Sequence, residues 1–143
     1  MILEKIGEGG YANIYRGTWL GVPVAIKILK SKHSENAETE FMKEAEIVSK
    51  LRHPNVILYM GASIFQERYC IITEYATNGS LFDLLHNRKK PLSENKIFRI
   101  TLDIALGLSY VHHTRLHHCD IKSSNIMLSD DLSVKIGDFG LSK

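Results

Sequence analysis

Three β-type runs open this chain almost without spacing, at residues 2–6, 12–18 and 24–29, separated by Gly7-Glu8-Gly9-Gly10 and by Leu20-Gly21-Val22-Pro23. Parallel neighbours need a crossover of a dozen or more residues, whereas connections this short and this rich in glycine reverse the chain. The runs are therefore expected to be antiparallel neighbours. A helix follows, with Ser34 or Asn36 as N-cap and Phe41, Ala45, Val48 and Leu51 at helical spacing. Two further strands, at 56–60 and 69–75, complete an expected five-stranded antiparallel sheet with one helix inserted.

From Ser80 the period changes. A short helix is expected at 81–86, then a long one capped by Ser93 with Ile97, Ile100, Ile104, Leu108 and Val111 on one stripe. The later strands are short, 126–128 and 134–136, around the turn Ser129-Asp130-Asp131. The fold class is α+β: a mainly β lobe over 1–77, a hinge at 74–79, and an incomplete, mainly helical lobe over 78–143. There are no internal repeats.

At 143 residues, 44% hydrophobic and 24% charged, the chain can bury one proper core. No stretch approaches the ~20 apolar residues of a membrane span, and Met1-Ile2-Leu3-Glu4-Lys5 is too short and charged for a signal sequence. Cys70 and Cys119 lie in unrelated contexts and read as reduced thiols, so a cytoplasmic or nuclear setting is expected and the sequon Asn78-Gly79-Ser80 has no role. A formal charge of +2 is too small to imply nucleic acid, and Arg88-Lys89-Lys90 before Pro91 reads as a solvated loop.

Gly7-x-Gly9-x-x-Ala12 is ambiguous by itself, because the dinucleotide-binding fingerprint has the same form. That site needs a helix opening directly after the glycines. Here Ala12-Asn13-Ile14-Tyr15-Arg16 has β character, so the glycines sit at a hairpin tip, and no Gly-Lys pair exists to make a P-loop. A glycine-rich tip lets backbone N–H groups approach phosphate oxygens, although a plain tight turn would need the same residues.

Period-two geometry puts Ala25 and Lys27 on one face of their strand. A lysine among Ala25, Ile26, Ile28 and Leu29 is partly desolvated and requires an anionic partner. At ~100° per residue Glu44 falls inside the apolar stripe of its helix, between the directions of Val48 and Leu51, and requires a cationic one. Each anomaly explains the other, with snorkelling of the lysine as the alternative.

Asp120, Lys122 and Asn125 fall within six residues that have no helical or strand period, and Asp138 follows one short hairpin later. A carboxylate and an amide oxygen across such a turn-back are suitable hard ligands for Mg2+. Asp120 is then free to orient a hydroxyl and accept its proton, with Lys122 neutralising charge on a transferring phosphate. Taken singly, each acid would also fit turn chemistry. The histidines His112, His113, His117 and His118 lack recurring acidic or cysteine partners at zinc spacing.

Together these residues closely resemble the eukaryotic protein kinase family, over essentially the whole chain and in the right order. The resemblance implies that Gly7, Gly9 and Ala12 cover the nucleotide, that Lys27 holds the α- and β-phosphates of ATP, and that Glu44 pairs with Lys27. Asp120 would be the catalytic base, and Asn125 and Asp138 the Mg2+ ligands. Adenine would lie between Ile6, Ile14 and Ala25 on one side and Met127 on the other, with Thr73 as gatekeeper, Glu74 and Ala76 as the hinge backbone, and Ser80 at the ribose edge. Val48, Tyr59, His118 and Phe139 match the family's hydrophobic spine.

Lys122 two residues after Asp120 matches kinases specific for serine and threonine, so the implied partner is a protein with such acceptors. Arg52-His53-Pro54-Asn55, Tyr59-Met60-Gly61 and Gly137-Asp138-Phe139-Gly140-Leu141-Ser142 resemble the tyrosine-kinase-like group, which includes Raf-like and mixed-lineage kinases. Two positions depart from the pattern. Ala12 replaces a third glycine, and Cys119 replaces the arginine that reads activation-loop phosphate in the family, which puts switching by that route in doubt. A scaffold or pseudokinase fragment is the alternative reading, marked by degraded catalytic residues, and none is degraded. Family members continue past Asp-Phe-Gly into a peptide-docking segment, so the chain alone is expected to be inactive, marginally stable and apolar along its long helix. Oligomeric state cannot be read.

Overall fold

Short turns do build the sheet from hairpins. The computed structural model describes residues 1–10, 12–30, 35–87 and 91–143. Its five-stranded antiparallel sheet comprises β1 (Ile2–Glu8), β2 (Ala12–Trp19), β3 (Val22–Leu29), β4 (Tyr59–Phe65) and β5 (Arg68–Glu74), in the order β1-β2-β3-β5-β4. The β2–β3 turn is tighter than expected: only Leu20 and Gly21 lie outside the strands, with φ of 50° and 82°, the left-handed pair that matches strand twist. Pro23 is therefore inside β3, opposite Thr18, in the stretch that precedes the first β5 partner at Val24.

The fourth strand corrects the expected one at 56–60. It runs over Tyr59–Phe65 and returns through Gln66 and Glu67, whose φ values of 47° and 60° form the same kind of two-residue turn without a glycine. Neither residue advertises a hairpin, which is why periodicity missed it. Val56 instead bridges Ile136 in parallel, and the amide of Ile57 donates to the Ile136 carbonyl at 2.8 Å.

The helix α1 (Glu35–Lys50) stacks Phe41 on Tyr69 of β5, with ring centroids 4.7 Å apart, and buries Val48. Asn36, proposed as a cap, lies within the helix, while Ser34 and the Arg88-Lys89-Lys90 run lie outside the described residues. The other sheet face carries its own core of Val24, Ile26, Ile28 and Cys70, with Ile2, Tyr15, Met60 and Ile72 packed against it.

Two compact units result, one of Met1–Lys50 with Leu58–Tyr75 and one of Leu51–Ile57 with Ala76–Lys143. The second contains α2 (Leu81–Asn87), α3 (Glu94–His113), a 3-10 turn at Ser123–Asn125, and the hairpin β6 (Ile126–Leu128) with β7 (Val134–Ile136). Ser80 caps α2 with a reciprocal pair: its hydroxyl donates to Asp83 Oδ2 at 2.6 Å and accepts the Asp83 amide at 3.1 Å. The α3 helix ends in a Schellman arrangement, Arg115 N–H to the His112 carbonyl and Leu116 N–H to that of Val111, with Arg115 in the left-handed region at φ 61°.

The inner stripe of α3 holds only in part. Ile100 and Val111 are buried and Ile104 and Leu108 half-buried, but Ile97 is exposed. Phe98, Leu102 and Leu106 join it in exposure, so the apolar patch expected on this helix lies beside the stripe rather than along it. Gly107 sits where α3 crosses the hairpin: a Cβ there would lie 2.7 Å from Ile136 Cδ1 and 2.8 Å from the Asn55 carbonyl oxygen. Asn55 itself is buried, donating from Nδ2 to the Val134 carbonyl at 3.2 Å and accepting the Ile136 amide at 2.9 Å. The sequon residue Asn78 is also committed, its amide donating to the carbonyls of Ser129 and Asp130 at 2.6 and 3.1 Å.

Candidate active site

Ladder register assembles the first group of residues. Gly7 lies opposite Ile14, Ile14 opposite Lys27 and Lys27 opposite Ile71, which puts Gly7, Ile14 and Lys27 in one row across three strands. The next row holds Arg16, Ala25, Thr73 and Tyr59. Directly opposed residues share a face, so Ile14, Ala25, Lys27 and Thr73 line the same side of the sheet. Ile6 is the extra residue of a bulge in β1, between the pairs Lys5–Tyr15 and Gly7–Ile14, and is 43% exposed. A bulge re-aims the side chain it carries. The glycine tip is closed by the Gly9 amide donating to the Ala12 carbonyl at 2.8 Å, so it is a hairpin, as the β character of the following residues requires. Glu8 at that tip accepts from Lys30 and Lys5 at 2.7 and 2.6 Å, and the two cations hold its carboxyl down to about 2.

The expected ion pair forms. Lys27 Nζ donates to both carboxylate oxygens of Glu44, at 2.8 and 2.9 Å, with the Lys27 and Glu44 side chains 22% and 11% exposed. Glu44 lies on the buried side of α1 because the helix turns that side onto the sheet that carries Lys27. At β5, Thr73 Oγ1 donates to the Glu74 carbonyl at 3.2 Å, and Glu74 Oε1 accepts the Leu58 amide at 2.8 Å. Ala76 is buried and belongs to the second unit.

In the second unit an isolated bridge sets Ser80 beside Met127. The loop between α3 and β6 carries the acid, the cation and the amide together. Asp120 Oδ2 accepts from Lys122 Nζ at 2.7 Å and from Asn125 Nδ2 at 2.9 Å, and Asn125 also donates to the Asp120 carbonyl at 2.9 Å. The Lys122 hydrogen bond, reinforced by that of Asn125, holds the Asp120 carboxyl below the usual aspartate range, and Asp120 in turn holds the Lys122 ammonium above its ordinary value. Asp138 adds to the second effect, which places it within electrostatic reach of Lys122. Asp138 is exposed and has φ 59°, and the Gly137 amide before it donates to the Asn125 carbonyl at 2.9 Å. The two expected hard-oxygen donors are thus tied to each other through their backbones.

His118 organises this loop from beneath. It is 2% exposed, its ring sits 4.7 Å from that of Phe139, and its Nδ1 accepts the Asp120 amide at 3.3 Å. Nε2, 2.8 Å from the Gly137 carbonyl, must then be the protonated nitrogen and the donor. One neutral imidazole therefore aligns both Asp120 and the strand end leading to Asp138. The sequence marked His118 for packing alone; nothing in its spacing shows these two bonds. The left-handed φ of 64° at Cys119 is equally invisible in sequence. Among the described residues no group of three or more His, Cys, Asp or Glu side chains is placed to hold a metal, and the nearest histidine rings, His112 and His117, are 5.8 Å apart.

Comparison with known proteins matches residues 1–143 to the family described as protein tyrosine and serine/threonine kinase. The chain is 43% identical, over 99% of its length, to a probable serine/threonine-protein kinase of Dictyostelium discoideum, and covers 16% of that protein. It is 43% identical over 98% of its length to the dual specificity protein kinase pyk3 of the same organism, covering 10% of it. With the serine/threonine-protein kinase STY46 of Arabidopsis thaliana the identity is 36% over 98% of the chain, which covers 24% of that relative.

Proposed function

Since the chain belongs to the protein tyrosine and serine/threonine kinase family, we propose that it is the ATP-binding part of a protein kinase that transfers the γ-phosphate of ATP to serine and threonine hydroxyls of proteins, in intracellular signalling. The observation that carries this reading is the Asp120 carboxylate, kept ionised by Lys122 and Asn125 and aligned by His118. An ionised carboxylate at a fixed angle accepts hydrogen bonds and protons only, which is what orienting an acceptor hydroxyl requires. Lys122 is a permanent cation next to it and offsets phosphate charge.

In the first unit Lys27, oriented by Glu44, meets the α- and β-phosphates, while the missing or small side chains of Gly7, Gly9 and Ala12 leave room for oxygens at the tip, the Gly9 amide itself being taken by the Ala12 carbonyl. Ile6, Ile14, Ala25 and Thr73 supply the apolar wall for adenine, with the backbones of Glu74 and Ala76 as its hydrogen-bonding edge. In the second unit, Met127 and Ser80 are the positions that the family resemblance gives to the base and the ribose. Mg2+ fits the donor set, because Asn125 commits its nitrogen to Asp120 and so offers its oxygen, and Asp138 adds an exposed carboxylate. Held by Asn125 and Asp138, such an ion would supply charge neutralisation for phosphate oxygens. Both thiols are free, which suits a cytoplasmic setting.

Thermal melting of the chain with ATP, with and without Mg2+, tests the binding half. The melting temperature is expected to rise with ATP and to rise further with Mg2+, and Asp138→Ala is expected to remove the second increment. Stabilisation indifferent to Mg2+ would remove Asn125 and Asp138 as ligands. For the chemistry, in a chain that also carries the peptide-docking segment, Asp120→Asn is expected to lower phosphate transfer to a basic protein by ~100-fold or more, and equal transfer by both forms would rule out the role given to Asp120.

A further inference from the structure

We propose that Ser142 is a positioning residue, whose hydroxyl locks the segment after Asp138-Phe139-Gly140 onto the loop that carries Asp120 and so fixes the direction of that carboxylate. The inference rests on the function given above to Asp120. Ser142 is polar yet only 2% exposed. Its Oγ donates to the His118 carbonyl at 3.2 Å, and its amide donates to the Phe139 carbonyl at 3.0 Å. On either side, His117 and Lys143 exchange backbone hydrogen bonds of 2.9 and 3.0 Å. Ser142 therefore closes a short pairing of two segments that the chain separates by more than twenty residues.

The acceptor is what makes this contact consequential. The His118 carbonyl belongs to the peptide that enters Cys119, which holds the left-handed conformation that L-residues disfavour. A residue in that conformation persists only where its surroundings hold it. Beyond it comes Asp120, whose amide is anchored to the same histidine through Nδ1. Ser142 thus fixes the His118 backbone from one side while the His118 ring fixes Asp120 from the other. Among the described residues no other donor reaches the His118 carbonyl, so alanine at 142 would leave a buried acceptor without a partner. Cys119 is exposed and its Sγ turns back to the His117 carbonyl at 3.4 Å, so it takes no part in holding Asp120. The lock is a contact between neutral groups and is indifferent to salt, unlike an arginine–phosphate contact.

Amide exchange and chemical shifts of the 15N-labelled chain test the proposal without nucleotide. Ser142→Ala is expected to shift the Cys119 and Asp120 amide signals and to speed exchange of the Asp120 amide by about tenfold, while amides of α2 change by less than about twofold. Ser142→Thr, which restores the hydroxyl, is expected to bring the Asp120 amide back toward the wild-type rate. Thr114→Val, which removes a comparable hydroxyl bond to the Val111 carbonyl at the end of α3, is expected to leave Asp120 unchanged. An Asp120 amide unaffected by Ser142→Ala, or an equal acceleration throughout the second unit, would overturn the proposal.

In a transfer assay on a chain that also carries the peptide-docking segment, Ser142→Ala is expected to lower kcat for the acceptor with little change in KM for ATP. A larger change in KM than in kcat would count against it. The amide response together with no transfer by the wild type would support the positioning role and count against the function given to Asp120, so the two failures are distinguishable.

Discussion

The first unit holds its charged pair with regular elements, whereas the second holds its own with irregular backbone. Lys27 and Glu44 meet because a strand and a helix are stacked, and any lysine at that rung would point the same way. Asp120, Lys122 and Asn125 meet in a loop framed by Arg115, Cys119 and Asp138, all with positive φ and none of them glycine. Among the described residues, the non-glycine residues with positive φ in the first unit, Leu20, Gln66 and Glu67, are all at two-residue hairpin turns and none adjoins Lys27 or Glu44 in the chain. Regular structure gives placement from periodicity, but it offers only the angles that strands and helices allow. The 3-10 turn at Ser123–Asn125 folds the chain back on itself, so a carboxylate and an amide five residues apart can bond.

Packing in the second unit should be the less forgiving, and the largest effect is expected there. Gly107→Ala should destabilise it by about 2 kcal/mol, because the new methyl meets the Asn55 carbonyl oxygen, and backbone yields poorly. In an unhindered helix interior the same change would stabilise by about 1 kcal/mol. Chemical denaturation followed by amide exchange in α3 measures it, and a gain in stability would mean that α3 and β7 can part without loss.

A smaller effect is expected in the first unit. Glu44→Gln keeps the shape and removes the charge facing Lys27, and should cost about 1 kcal/mol, since both side chains are largely but not wholly buried. Amide exchange in β3 and α1 reads it. A loss confined to α3 would show that the two units do not hold their charges separately.

The smallest contrast concerns acid. Glu8 in the first unit and Asp131 in the second are both held at about 2, Glu8 by Lys30 and Lys5, Asp131 by hydrogen bonds from Ser133 and Ser129. Lowered carboxyl values mean that the stabilisation is complete above the ordinary range near 4 and fades as pH falls to about 2. Carboxyl carbon shifts over that window should show both midpoints together, with salt raising the midpoint of Glu8 alone, because only Glu8 depends on exposed ion pairs. A salt-sensitive Asp131 would contradict the hydrogen-bond cause.

Legibility in the sequence followed the same division. The sheet, its helix and the Lys27–Glu44 pair could be read in advance, because alternation and the ~100° step place side chains on faces without knowledge of the rest. The failures came where those periods do not operate. The fourth strand was displaced because Gln66-Glu67 closes a hairpin without glycine, and Val56 and Ile57 were apolar for a different reason, contact with Ile136. On α3, Ile97 is spaced like a core residue but exposed, since hydrophobic period predicts a face and not what covers it. Asp120, Lys122 and Asn125 were singled out by residue type, yet the bonds of His118 and Ser142 that align them had no sequence signature.

By itself, then, the sequence determined the family, the order of elements and the residue types at each proposed site, because these depend on local period and on motif spacing along the chain. Only the tertiary structure decided which nitrogen of His118 is protonated, which way the peptide before Cys119 points, and why Gly107 must lack a side chain. Each of those depends on an atom more than fifteen residues away in the chain, and such distances carry no periodic signal.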